Sequence, residues 1–223
     1  MIREKPEKFE RYTLNYYPDG DAGLLAWMYS EKNHGFFLVW KVHSKNQNEL
    51  MYYDLETHQV VQVASLSIMA DGYCRLEETG DAKHVYVFSE HHCEIFSVPA
   101  LKKVQNVNLS KPLPLSSCLT VSSDLRYLAY GLSEVSIIDL QNNEEFVIDA
   151  LHGDQFNVGW MYLGKDVEPS MEYYRMRELK FVEESHQLAA ISQRGEYYQW
   201  NVDQRKLKQY KQLDIADYYP EKW

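Results

Sequence analysis

The chain has 223 residues, a formal net charge of −10 and three cysteines. A chain of this length buries about 70% of its unfolded surface on folding, so it needs no disulfide or metal staple. The acidic balance is repelled by phosphate backbones, which argues against nucleic acid as a direct partner and favours a basic protein.

Cys74, Cys93 and Cys118 are odd in number and lack zinc-type pair spacing, so they read as reduced, partly buried thiols. The start, Met1-Ile-Arg-Glu-Lys-Pro-Glu-Lys8, is charged and has no apolar signal core. No apolar run reaches the roughly 18 residues of a membrane span. The expectation is a cytoplasmic protein with no membrane contact.

In chain order, Phe9–Tyr17 reads as one strand, closed by Pro18-Asp19-Gly20. Two apolar runs follow, Leu24–Tyr29 and Phe36–Trp40, parted by the polar turn Ser30–His34. Tyr53-Asp54-Leu55 then precedes a turn and Val60-Val61. The same order returns with Tyr73–Leu76, a turn at Glu78–Asp81, and His84–Phe88, ahead of Phe96-Ser97-Val98. It is clearest in Leu119–Val121, Ser122–Asp124, Tyr127–Tyr130, Val135–Leu140 and Phe146–Ile148. It returns again in Leu179–Val182, Glu183–His186, Leu188–Ile191 and Trp200-Asn201-Val202. Ser and Asp side chains bond back to their own backbone, which is why these polar clusters read as turns.

The anchors Asp54, Ser97, Asp139 and Asn201 are 43, 42 and 62 residues apart. A four-stranded propeller blade repeats at roughly 40–45 residues. The units fall at about 21–66, 67–110, 111–153 and 178–213, with 154–177 as an insertion. Tyr53-Asp54, Ile138-Asp139 and Trp200-Asn201, with the strand pairs Leu119–Gly131 and Leu179–Ser192, resemble WD-type β-propeller repeats. The expected fold class is all-β: one domain, a propeller-like array of about four four-stranded antiparallel meanders, small or incomplete. Five Tyr-Tyr pairs fit strands packed on both faces, because strand neighbours point to opposite sides. Trp40, Phe88, Tyr130 and Ile191 are expected to be largely buried.

The chemical constellations are weak. Pro18–Gly23 has Ser30 where a calcium loop beginning at Asp19 needs a carboxylate. His91-His92-Cys93 reads as a turn whose side chains diverge. Glu77-Glu78, Glu144-Glu145 and Glu183-Glu184 read as solvated charges at turns or strand ends. There is no Gly-x-Ser-x-Gly elbow and no Gly-rich phosphate loop. No catalytic residue, metal site or cofactor is expected.

The insertion is richer. Trp160, Met171, Tyr173 and Tyr174 alternate with Asp166, Glu168 and Glu172. Aromatic residues and Met are enriched at interface cores. These seven residues are the candidate partner-binding site, with an apolar centre and an acidic rim. The resulting reading is a non-catalytic protein–protein interaction module that masks a basic partner, as an inhibitor or immunity-type protein does. The alternative is a hydrolase or lyase with a site in the propeller channel. Three or more carboxylates or histidines converging at the axis would favour the enzyme, and a hydrophobic, tyrosine-lined patch on one rim would favour the module.

Overall fold

The computed structural model describes residues 20–67, 74–113, 117–131, 135–148, 176–182, 185–192 and 195–213. They form four antiparallel four-stranded sheets, each a meander of strands adjacent in sequence. The first sheet contains β1 (Ala22–Ser30), β2 (Gly35–Val42), β3 (Gln47–Asp54) and β4 (Gln59–Leu66). The second contains β5 (Arg75–Glu78), β6 (His84–Phe88), β7 (His92–Ser97) and β8 (Lys102–Asn108). The third contains β9 (Cys118–Val121), β10 (Tyr127–Gly131), β11 (Val135–Asp139) and β12 (Glu144–Ile148). The fourth contains β13 (Met176–Phe181), β14 (Gln187–Ser192), β15 (Glu196–Asn201) and β16 (Lys206–Gln212). The all-β fold of four meanders is therefore present. β13 starts at Met176, so Met176 and Arg177 are strand residues.

The repeat signal has a local cause. Asp54 Oδ1 accepts the amides of Glu56 and Thr57, and Asp139 Oδ1 those of Gln141 and Asn142. Asn201 Oδ1 accepts the amide of Gln204. These three anchors thus close the turn between third and fourth strands, and Ser97 instead donates its hydroxyl to the Lys102 carbonyl at 3.3 Å. A second bond recurs in all four sheets and ties that turn to the one between first and second strands. Its four forms are Leu55 N–H to His34 O, Val98 N–H to Lys83 O, Leu140 N–H to Arg126 O and Val202 N–H to His186 O. Both kinds of turn therefore lie on one rim. Gly35 opens β2 where a Cβ would overlap the Tyr52 ring and the Tyr53 carbonyl, so only glycine fits there.

Alternation along the central strands explains the stacking. Phe37, Val39, Leu50 and Tyr52 of the first sheet meet Leu76, Val85, Val87 and Phe96 of the second. Tyr86, Phe88 and Ile95 turn the other way, onto Leu119, Leu128, Tyr130 and Ile138 of the third. Tyr127, Ala129 and Ile137 then meet Met176, Phe181, Leu188, Tyr198 and Trp200 of the fourth. Among the described residues no core cluster joins the fourth sheet back to the first.

Phe88 and Tyr130 are buried as expected, but Trp40 and Ile191 are only partly so. Both lie in the first and last of the four sheets, on the face that meets no other sheet among the described residues. The Tyr pairs divide the same way. Tyr52 joins the core between the first two sheets and Tyr53 the opposite face, whereas Tyr198 is buried and Tyr197 only half so.

Candidate functional site

Trp160, Asp166, Glu168, Met171, Glu172, Tyr173 and Tyr174 lie outside the described residues, as do Asp19 and Glu183-Glu184. Asp21, from the loop weighed for calcium, spends its carboxylate on the Ser44 amide and hydroxyl at 2.9 and 2.8 Å. His92 and Cys93 open β7 rather than lying in a turn. Cys93 is fully buried and His92 is exposed against Asn108. All three cysteines are free and buried. Burial pushes the Cys74 thiol up to about 11 and Cys118 likewise to about 11, which makes them poor nucleophiles. Among the described residues no group of three or more His, Cys, Asp or Glu side chains is placed to hold a metal.

The rim turns enclose a cleft of about 260 Å³, lined by Asp81, Lys83, Ser122, Ser123, Asp124, Ser185 and His186. Its centre is His186. The imidazole Nε2 lies 2.7 Å from Asp124 Oδ2 in the third sheet's turn, and Nδ1 lies 2.7 Å from Asp203 Oδ2 in the fourth's. Tyr127 donates its hydroxyl to Asp203 Oδ1 at 2.9 Å and meets the imidazole edge-on. Arg126 stands 3.3 Å from Asp203. Ser122 donates to Asp124 Oδ1 at 2.7 Å, so its hydroxyl serves the turn and not the histidine.

Burial alone would lower the His186 pKa, but hydrogen bonds to Asp124 and Asp203 override it and raise the value. An imidazole with both nitrogens donating to carboxylates is a cation and cannot serve as a base. The cluster is an ionic clasp between the third and fourth sheets. A raised histidine pKa stabilises the fold fully below the ordinary 6.5 and loses that stabilisation as pH rises through the raised value. Asp124 and Asp203 are lowered, so their share holds above the ordinary 3.8 and is lost in acid. His186→Gln is therefore expected to cost stability near pH 5–6, by about 1 kcal/mol because the carboxylates are half-exposed. The gap to the wild type should narrow as pH rises above the raised value, as read by urea denaturation across pH.

The first strands of the sheets lie innermost, β1 against β5 and β9 against β13. Here Arg75 donates to Glu77 at 3.1 Å and to the Ser117 carbonyl at 2.6 Å. Tyr86 donates to Glu77 at 3.3 Å. Burial raises the Glu77 pKa, Arg75 and Tyr86 partly offset it, and Glu178 adds to it. Glu77 is thus a half-buried strand residue rather than a solvated turn residue. Two carboxylates approach one another here among the described residues, short of the three that a channel active site would call for.

The remaining feature is the apolar layer on the side of the first sheet turned away from the second. The register sets Leu24 beside Trp40 and Glu49, Trp27 beside Leu38, Met51 and Val63, and Tyr29 beside Phe36, Tyr53 and Val60. Leu38, Met51 and Tyr53 are buried beneath this layer. Beside them, on β1, Trp27 is 63% exposed, and Leu24 and Tyr29 are each 47% exposed. Trp27 and Tyr29 pack against Phe36 at 6.1 and 5.4 Å between ring centroids. The sequence did carry this signal. β1 to β3 are apolar at both parities, although among the described residues only one of their faces meets a sheet.

No protein-family model matches the chain, and no curated protein matches it. Among solved structures, one titled "Structure of U3-55K" is similar at 11% identity and a TM-score of 0.49. The match covers 85% of this chain and 54% of that one, so the chain spans about half the length of the structure it matches. The fold assignment rests on the strand pairings.

Proposed function

We propose that the chain is a non-catalytic protein–protein interaction module built on a propeller-like array. The observation that carries this reading is the apolar, aromatic strip along β1, where Trp27 is 63% exposed and Leu24 and Tyr29 are each 47% exposed. Contiguous apolar surface of this kind is a mark of protein contact. The clasped state of His186 and the raised thiol pKa values support a scaffold over a catalyst.

Within this proposal a second, basic partner meets the acidic part of the chain. The described residues are nearly balanced in charge, so most of the −10 belongs to the rest, although 154–177 itself, with four acidic and three basic residues, holds little of it. Asp166, Glu168 and Glu172 would set the on-rate and salt dependence, and Trp160, Met171, Tyr173 and Tyr174 the lifetime of the complex. An inhibitor-type role, masking a basic protein, follows from that charge. A cytoplasmic setting belongs to the same proposal and suits three free thiols.

The test is the size of the chain in native extract, wild type beside Trp27→Glu. The wild type should elute in an assembly larger than the 26.3 kDa chain. The variant should lose that assembly while keeping its melting temperature.

A further inference from the structure

We propose that β4, the outer edge strand of the first sheet, pairs antiparallel with β4 of a second copy and joins the two first sheets into one continuous sheet. This goes beyond the interaction reading, because the sheet order places β4 at the opposite edge from β1 and its aromatic strip. Three observations support a second copy as the occupant.

The first is the state of the edge. β4 pairs with β3 on one side and with no strand among the described residues on the other. Gln59, Val61, Gln62, Val63 and Ser65 are all exposed, Val61 to 44% and Val63 to 36%. A strand edge of this kind offers a row of main-chain donors and acceptors to another strand.

The second is what the four outer strands carry. Charged side chains keep strand edges from pairing. β8 has Lys102 and Lys103, β12 has Glu144 and Glu145, and β16 has Lys206, Lys208 and Lys211. β4 reads Gln-Val-Val-Gln-Val-Ala-Ser-Leu, with no charged residue and no proline. Three of its eight residues are valines, which favour strands. Three edges are blunted and this one is not. A charged partner strand finds nothing to pair with on β4, whereas a second β4 brings no charge of its own.

The third is register. The irregularity in β4 lies between Val60 and Gln62, and Gln62 to Leu66 run in regular register with β3. Leu66 is buried, and the next residue is tied to the second sheet by the bond from the Ser67 amide to Glu94. The accessible stretch therefore centres on Val63. A two-fold axis there sets Val63 opposite Val63, Gln62 opposite Ala64 and Val61 opposite Ser65. No like charges meet, and a pair of β-branched side chains sits at the centre. The axis uses up the edge of both copies, so the assembly closes at two. About five residue pairs bury less than the roughly 1,200 Å² of a standard interface, which fits a dissociation constant of about 10–100 µM. Such a pair comes apart at the dilution of an extract, so the Trp27 comparison reads a different contact.

Sedimentation velocity of the purified full chain tests this over about 5–500 µM. The expected result is a mass rising with concentration towards twice the 26.3 kDa chain. Val63→Lys and Val63→Glu, each alone, set like charges directly opposite and should raise the dissociation constant by at least about tenfold. An equimolar mixture of the two variants should associate at least as tightly as the wild type. Val104→Lys on β8 and Trp27→Glu on β1 should leave the constant unchanged. Recovery on mixing separates a lost contact from a lost fold. A wild type that stays monomeric at about 500 µM overturns the proposal, and a Val63-dependent assembly in extract would then give the edge to a strand of another protein. Single variants that associate like the wild type also overturn it, as does a mixture that fails to recover. If Trp27→Glu abolishes the association while Val63→Lys does not, the contact belongs to β1, and the interaction reading stands while the strand pairing falls.

Discussion

Trp200→Ala is expected to destabilise the protein by about 3–5 kcal/mol, the range for a large aromatic truncated in a packed core. Trp200 lies on β15 with none of its surface exposed. It stacks on Tyr198 at 5.5 Å between centroids and 4° between planes, and it fills the junction between the third and fourth sheets. Its indole Nε1 is buried with no hydrogen-bond partner. Trp200→Phe removes that unsatisfied donor while keeping an aromatic ring, so its cost should be clearly smaller, about 1–2 kcal/mol. Urea denaturation with an unchanged slope checks both. A loss below about 0.5 kcal/mol for Trp200→Ala, the size of an ordinary surface change, would place this residue outside a core.

Lys103→Met should cost about 2–4 kcal/mol, because it strands a buried carboxylate. Glu94 on β7 is fully buried. Its two oxygens accept the Ser67 amide at 3.0 and 3.1 Å, and Oε1 accepts Lys103 Nζ at 2.9 Å. Lys103 also donates to the Ser67 hydroxyl at 2.7 Å. These bonds tie the end of β4 in the first sheet to the second. Met keeps the stem of Lys103, whose ammonium now stands 5.7 Å over the Phe96 ring, and removes only the charge. The lysine is a third exposed, which holds the expected cost below that of a fully enclosed pair. Glu94→Leu combined with Lys103→Met should recover most of the loss, since a buried ion pair is often replaced by apolar side chains at little cost. A double-mutant cycle in urea measures the coupling. Near-zero coupling would mean that the two side chains do not depend on each other.

The blades were legible because their turns are built by short-range chemistry. Asp54, Asp139 and Asn201 cap their own backbone, so spacing alone exposed the repeat. The turn residues with positive φ were harder to see. His58, Leu101, Asn143 and Arg205 hold equivalent left-handed positions, and none is glycine, the usual marker. Burial was misjudged at Trp40 and Ile191 because alternation assigns a side chain to a face but does not say what covers that face. The His186 clasp was out of reach of the sequence. Asp124 and His186 are 62 positions apart, and only the stacking of the third and fourth sheets brings them together. The exposed strip was spelled out in β1 as Leu24-Leu25-Ala26-Trp27-Met28-Tyr29, but its exposure depends on the described array having an end at the first sheet.

That end is the point on which the interaction reading turns, and elution of the chain from native extract beside Trp27→Glu measures it most directly. A contact face predicts a wild type that travels in an assembly well above the 26.3 kDa of the chain. It predicts a Trp27→Glu variant that elutes as the free chain with an unchanged melting temperature. Identical elution of the two forms would contradict it, and so would a variant that loses the assembly only because it has lost its fold.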